Sequence, residues 1–277
     1  MATPTLRALQ LNFRRSDLPE DHKREQWPRR LPAMILFLKR IKPFVIGCQE
    51  LTNDAVADVQ EGLGENWTFV GRHHNVKIMW DTKIMQAEDG TLLETTLPSG
   101  ERHRYLITVR LNHIETGWGA WFSSIHLASG GPEEPNAPAL RIKQITQALN
   151  ILDDHIAKHP HAHAGDGPTP NSILLGDIND NPQTKGVRKV ALSEGYKPLQ
   201  VRLPDDKISG ETISTFHGFN TPTPRTGRWI DEIFTRGVKL EDAVLKRTDL
   251  DALPNYASDH NGLYADVIME IADAARQ

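Results

Sequence analysis

The chain has 277 residues, 38% of them hydrophobic and 25% charged, with 20 Gly and 18 Pro, so it can bury a core and carries many turns. Its net charge of -4 argues against a protein that coats nucleic acid non-specifically, while leaving room for a local basic groove. Cys48 is the single cysteine, which excludes an intramolecular disulfide, and no stretch is long and apolar enough to span a bilayer.

No internal repeat or composition break marks a linker, and sheet-rich sandwiches of this length form single units, so one domain over residues 1–277 is expected. The opening MATPTLRALQLN lacks an apolar signal core, which makes a cytoplasmic location the expectation. In chain order, Leu6 and Ala8 lead a strand to Asn12, and the polar stretch from Arg14 to Glu25 reads as a loop. A helix from Trp27 to Ile41 is closed by Pro43 before the strand FVIGC. Thr52 and Asp54 can cap a helix running to Gly62. Strand signals follow in WTFV at Trp67 and VKIMW at Val76, then a turn at Asp89-Gly90.

YLITVRL from Tyr105 and WGAWFSSIHL from Trp118 alternate like strands around Glu115-Thr116-Gly117, which predicts an antiparallel hairpin. A Gly/Pro-rich loop from Ser129 to Pro138 precedes a helix over about 139–157 with Leu140, Ile145, Leu149 and Leu152 on one face. The strand SILLGD, helical signals between Thr184 and Glu194, a loop-rich stretch from Pro204 to Arg228 and the strands WIDEIF and GLYADVIME complete the chain. Helices interleaved with hairpin-like strands fit a mixed sheet, or two sheets packed face to face with helices outside.

Several apolar runs stop at a polar residue: Asn12 in LQLN, Glu50 in CQE, His126 in SSIHL, Asp177 and Asn179 in LLGDIND, Asp231 in RWIDEIF, and Asp259-His260 in YASDH. A buried strand that ends this way delivers its last side chain to the rim of a sheet. Carboxylates and carboxamides are hard oxygen ligands suited to Mg²⁺ or Mn²⁺, and histidines hydrogen-bond phosphate or move a proton near neutral pH. That combination points to phosphoester hydrolysis.

In this order, LQLN, GCQE, SSIHL, LLGDIND, STFHGF, RWIDEIF and SDHN resemble the motifs of the endonuclease/exonuclease/phosphatase superfamily, the DNase I-like metal-dependent phosphoesterases, over nearly the whole chain. The resemblance implies an α+β fold, a four-layer sandwich of two packed mixed sheets flanked by helices, with the site at one rim. It implies that Glu50 is the principal metal ligand, supported by Asn12, and that Asp259 occupies a position that touches the metal in some members. It further implies that Asp177 orients or deprotonates the attacking water and that Asn179 holds the scissile phosphate or places that water. His260 then contacts the phosphate, with Asp231 bonded to its ring and favouring its charged form. His126 matches a second histidine of the DNase and sphingomyelinase branches, where abasic-site enzymes carry a different residue. Two departures stand out: His73, His74 and Asn75 replace the acidic residue that braces this second histidine in many relatives, and SDHNG lacks their proline.

Each residue also has a bland reading. An Asp or Asn at a strand end caps turns, His217 reads as a core or loop histidine, and Cys48 as an inert buried thiol. His155, His159, His161 and His163 read as part of a solvated loop in preference to a zinc site, and Trp121 as core in preference to a base-stacking surface. Arg14, Arg15, Arg225 and Arg228 lie in loops beside the site segments, so Arg14 and Arg228 are the substrate-binding candidates of a phosphate-binding rim. The leading expectation is a Mg²⁺- or Mn²⁺-dependent phosphodiester hydrolase with a nucleic acid substrate, a DNA endonuclease or exonuclease, with no membrane and no obligate protein partner. A phosphatase or phosphodiesterase of small or lipid-linked esters is the alternative, and a catalytically silent binding member the third.

Overall fold

The computed structural model describes residues 5–18, 26–72, 75–99, 103–130, 134–160, 169–180, 186–199, 208–209, 215–216, 218–219, 229–246 and 257–269. The first half forms β1 (Thr5–Asn12), α1 (Trp27–Ile41), β2 (Val45–Gln49), α2 (Asn53–Leu63), β3 (Trp67–Val70), β4 (Lys77–Asp81), β5 (Met85–Ala87), β6 (Leu93–Leu97), β7 (Arg104–His113) and β8 (Gly119–His126). Then come α3 (Ala137–Ala157), β9 (Ser172–Asp177), α4 (Gly186–Ser193), β10 (Lys197–Pro198), β11 (Ile208–Ser209), β12 (Asp231–Arg236), β13 (Lys239–Lys246) and β14 (Gly262–Ile268). One sheet runs β11-β13-β14-β1-β2-β4-β3 and the other β10-β12-β9-β8-β7-β5, with β6 also paired to β7. Both sheets are mixed: β1 pairs parallel with β2 and antiparallel with β14, while β8 pairs parallel with β9 and antiparallel with β7.

The local signals explain these elements. Lys42 ends α1 in the left-handed region at φ 53°, and Pro43 forbids continuation. Thr52 caps α2 by accepting the Ala55 N–H at 3.4 Å. The predicted hairpin between β7 and β8 turns at Gly117, whose φ of 70° a side chain would strain. β13 is a strand that the sequence reading missed, and β5, β6, β10 and β11 are short segments without sustained alternation.

Three apolar layers follow from alternation along the strands. Leu6, Ala8 and Val45 face Ile107, Phe122, Ile173, Leu175 and Ile233 between the sheets. Leu9, Leu11, Ile46 and Cys48 point the other way, onto Met34 and Phe37 of α1 and Val56 and Val59 of α2. On the second sheet Trp121, Ile125, Leu174 and Phe234 pack under Ile145, Leu149 and Leu152 of α3 and Val187 and Ala191 of α4. The architecture is therefore helix, sheet, sheet, helix, an α+β sandwich as the resemblance implied. Among the described residues no helix is long and apolar enough to cross a membrane.

At one end the positions facing between the sheets turn polar. In β1 the series Leu6, Ala8, Gln10, Asn12 keeps one parity, and in β9 Ile173, Leu175, Asp177 do the same. β12 runs antiparallel to β9, so Asp231 lies directly across from Asp177. His126 ends β8 paired with Asp177 on the other side. Gly47 lets the sheets approach closely, because a Cβ there would stand 2.4 Å from Leu175 Cβ. The inter-sheet core thus passes from hydrocarbon into a cluster of carboxylates, amides and imidazoles at one rim.

Candidate active site

Asp177 Oδ2 is the focus of this rim. Asn12 Nδ2 donates to it at 3.0 Å and also to Glu50 Oε1 at 3.2 Å, while His126 Nε2 stands 3.6 Å away and His260 Nε2 3.9 Å away. Asp177 Oδ1 accepts the Asn179 N–H at 3.0 Å, which orients the carboxylate from behind. His260 Nδ1 lies 2.8 Å from Asp231 Oδ2, so its Nε2 is turned toward Asp177. Glu50 Oε2 accepts the Arg15 N–H at 3.3 Å.

Three of these rim residues have left-handed backbones without being glycine: Arg14 at φ 57°, Glu50 at φ 56° and Asn179 at φ 50°. Such conformations cost of the order of 1 kcal/mol each and persist only where the surroundings hold them. Here they turn the chain directly after β1, β2 and β9 and aim the side chains inward. Arg30, fully buried in α1, donates to the carbonyls of Phe13 at 2.8 Å, Arg14 at 2.9 Å and Ala257 at 3.0 Å, which ties the loops after β1 and before Asp259 to the helix.

The supporting residues went unnoticed in the sequence. Gln10 and Gln49 form a reciprocal amide pair, Gln10 Nε2 also reaches Asp231 Oδ1 at 3.1 Å, and Gln49 Nε2 reaches Ser124 Oγ at 3.1 Å. Thr215 Oγ1 accepts the N–H groups of Ile230 at 2.8 Å and Asp231 at 3.0 Å. Ser258 donates to Asn12 O at 2.6 Å and accepts from His260 N at 3.2 Å. The Phe216 ring meets the His260 ring nearly edge-on, with centroids 5.0 Å apart. One signal was available: Gln10 lies two residues before Asn12 in β1 and so shares its face.

Burial and charge set the protonation states. Burial lowers the affinity of His260 for a proton, but Asp231, through its charge and hydrogen bond, outweighs this and lifts the pKa to about 10. Burial and the Arg104 charge push His126 down to about 4, so it is neutral. Burial, reinforced by the facing charge of Asp231, raises Asp177 to about 7. Burial also pushes Glu50 up, yet the imidazole charges opposite hold it below its ordinary value; with His126 neutral, His260 supplies that charge. Asp259 is raised by burial despite the charge of His260.

Asn12, Glu50, Asp177, Asn179, Asp231, His126, Asp259 and His260 thus converge on one rim. Arg14 is there too, but its Nη1 faces Asp259 Oδ2 at 3.7 Å, and Arg15 is paired with Asp17 at 2.7 Å. Arg225, Arg228, His217, His73, His74, His161 and His163 lie outside the described residues. The solvated-loop reading of His155 and His159 is corrected: their rings pack against Trp121 at 5.3 and 5.8 Å, and their nitrogens meet the carbonyls of Thr91 and Gly90. Trp121 and Cys48 are wholly buried, and Trp118 and Trp229 are buried as well.

The donors suit a hard divalent cation. As ligands, Glu50, Asn12 and Asp259 would offer oxygens, and burial raises Asp177 and Asp259 even though positive groups stand near them, as expected of carboxylates clustered out of water. Ligand atoms of Asp177, Asp231 and His260 also lie within 4.8 Å of one another. Because His260 holds its proton against Asp231, this trio is better described as a proton-carrying cluster than as the seat of a cation.

No protein-family profile matches the sequence, and no curated protein sequence matches it. Solved structures do match. An endonuclease/exonuclease/phosphatase family protein from Bacteroides thetaiotaomicron is 16% identical with a TM-score of 0.73, over 98% of this chain and 100% of that one. A mannosyl-6-phosphatase from the same species is 17% identical with a TM-score of 0.73, over 95% and 99%. TDP2 from D. rerio, solved with a single-strand DNA product, is 18% identical with a TM-score of 0.69, over 95% and 98%. The chain therefore has, along nearly its full length, the DNase I-like fold of the endonuclease/exonuclease/phosphatase proteins.

Proposed function

We propose that the chain is a divalent-metal-dependent phosphodiester hydrolase whose first substrate is nucleic acid, a DNA endonuclease or exonuclease. The observation that carries this is the convergence on Asp177 Oδ2 of an amide donor from Asn12 and the Nε2 edge of a His260 that Asp231 keeps protonated. A bound Mg²⁺ or Mn²⁺, held by Glu50 and Asn12 with Asp259 nearby, would polarise a phosphoryl oxygen. Asp177, poised near neutrality, takes the proton of the attacking water at its carboxylate. His260 Nε2 donates to a phosphoryl oxygen as charge develops there, and Asp231 fixes the ring so that Nδ1 stays bonded. Asn179 keeps a side-chain N–H for the phosphate after its bond to Leu127 O at 3.1 Å. His126, neutral, can donate or accept at the same edge without adding charge.

The test is conversion of supercoiled plasmid to nicked or linear DNA with Mg²⁺ or Mn²⁺. Cleavage abolished by EDTA and by both Asp177→Asn and His260→Ala is the expected result; cleavage that survives in both variants would place the chemistry elsewhere.

A second reading, hydrolysis of a small or lipid-linked phosphoester, is favoured by the arginines beside the rim. Arg15 is neutralised by Asp17 and Arg104 by Glu134, which leaves less charge for a long phosphate backbone. A mannosyl-6-phosphatase with the same fold is consistent with it. Metal-dependent hydrolysis of sugar phosphates or bis-p-nitrophenyl phosphate by protein that leaves plasmid intact would select this reading.

A further inference from the structure

Arg141 and Gln144 lie one turn apart on α3 and face the backbone at the ends of β8 and β9. Gln144 Oε1 accepts the Ala128 N–H at 2.9 Å, and its Nε2 donates to Pro98 O at 2.7 Å. Arg141 Nη1 donates to Ala128 O at 3.3 Å and also to Asn179 O. Ala128 is thus gripped at both its N–H and its C=O by one helix face, and the same guanidinium reaches across to Asn179. The bond from Asn179 Nδ2 to Leu127 O at 3.1 Å closes a ring of contacts between the two strand ends, which carry His126 and Asp177. From α4, Arg188 donates to Asp180 O at 2.9 Å and Trp229 O at 3.1 Å, so the next carbonyl of the turn is held as well.

Arg141 differs from the arginines around it. Arg188 pairs with Glu232 at 2.7 Å, Arg104 with Glu134 at 2.9 Å and Arg15 with Asp17 at 2.7 Å. Among the described residues Arg141 has no carboxylate within ion-pair distance, and its Nε is buried without a partner. Its charge is held in place by carbonyl dipoles that belong to the rim. Asn179 at φ 50° needs such external support, because a left-handed backbone with a side chain relaxes when its surroundings allow.

We propose that Arg141 is a positioning residue: together with Gln144 it locks the left-handed turn at Asn179 to the end of β8, so that the Asn179 side chain and His126 stay set against Asp177. The inference rests on the reading of this rim as a phosphoester-hydrolysing site. A displacement of about 1 Å at a reacting centre can cost on the order of 100-fold in rate, so a clamp of this kind acts on turnover more than on substrate affinity.

The experiment compares Arg141→Met, Arg141→Lys and Leu149→Ala, the last buried in the same helix about 12 Å along its axis. Arg141→Met is expected to lower kcat by roughly 10- to 100-fold with KM within about threefold, and Arg141→Lys to recover part of the loss by restoring one donor. Leu149→Ala, although less stable, should keep kcat near the wild-type value. Amide hydrogen exchange supplies a readout independent of turnover: residues 126–130 and 177–180 should exchange faster in Arg141→Met, with the inter-sheet core unchanged. Unaltered exchange at both strand ends, an equal kcat loss in Leu149→Ala, or a raised KM with intact kcat would overturn the proposal. If the wild-type protein hydrolyses no phosphoester yet the exchange responds, the phosphoesterase reading fails and the clamp stands.

Discussion

Asp177 illustrates how a candidate site residue works against the fold that holds it. Buried beside Asp231, its pKa rises to about 7 from an ordinary 3.8, so the folded state binds a proton more readily than the unfolded chain. Stability therefore falls as pH rises from about 4 to about 7 and stays reduced above that window. Asp177→Asn removes the unfavourable charge, and at pH 8 we expect it to abolish turnover while raising Tm by at least about 2 °C, as a gain of about 1 kcal/mol would. Equal melting curves at pH 8 would show that the carboxylate is not strained as described. His260 has the same sign in a higher window: lifted to about 10, its contribution is complete below its ordinary 6.5 and is lost as pH climbs toward 10. The acid limb of kcat/KM should accordingly report Asp177, at or below pH 7 when a cation is bound, and no alkaline limb from His260 should appear before about pH 9. Replacing Asp231 with Asn should bring that alkaline limb down toward neutrality.

At the scale of elements, helices outside the sheets hold the rim from behind. Arg30 of α1 gives donors to four carbonyls in two separate loops, those of Phe13, Arg14, Arg15 and Ala257, and stacks 5.2 Å from the Trp27 ring. Each buried carbonyl left without a donor costs roughly 1–3 kcal/mol, so Arg30→Met should destabilise the protein by about 2–4 kcal/mol, measurable by urea denaturation. The same change should loosen the Arg14–Arg15 turn and with it the backbone bond to Glu50, so the Mn²⁺ concentration needed for half-maximal activity should rise. A variant that melts earlier yet needs no more metal would separate Arg30 from the site. Strand order acts at this scale too: β12 beside β9 sets Asp231 against Asp177, and the β1–β2 pair sets Asn12 beside Gln49 and thus next to Glu50.

Across the whole molecule, the two sheets must approach closely for carboxylates from both to meet. Gly47 permits this against Leu175, and Gly47→Ala should cost about 1–3 kcal/mol by overpacking; an unchanged denaturation midpoint would mean that the sheets part easily. Asn12 and Glu50 come from one sheet and Asp177, Asp231 and His126 from the other, so a cation held at this rim would lie where the two sheets meet. Added Mn²⁺ should raise Tm with the logarithm of its free concentration above Kd, and Glu50→Gln should lose most of that shift.

Most elements were legible locally, because alternation, the Pro43 stop and the Thr52 cap act over a few residues and leave their mark in order along the chain. The same holds for the polar residues that end the apolar runs, since a strand emerging from a core must stop at something soluble. What the chain order left open was contact. That Gln10 and Gln49 would pair beneath Asp231, that Arg14 would face Asp259, and that His155 and His159 would pack on Trp121 depended on partners between 34 and 245 residues away, which one-dimensional spacing does not encode. The strand β13 escaped for the same reason, since its pairing with β14 decides a conformation that its charged sequence does not favour alone. Periodicity gave most of the elements but left a single mixed sheet or two packed sheets open, and the resemblance of the ordered motifs implied the four layers and the candidate site residues; only the packing of one sheet on the other decided which carboxylate would be raised, which histidine charged, and which turn held in strain.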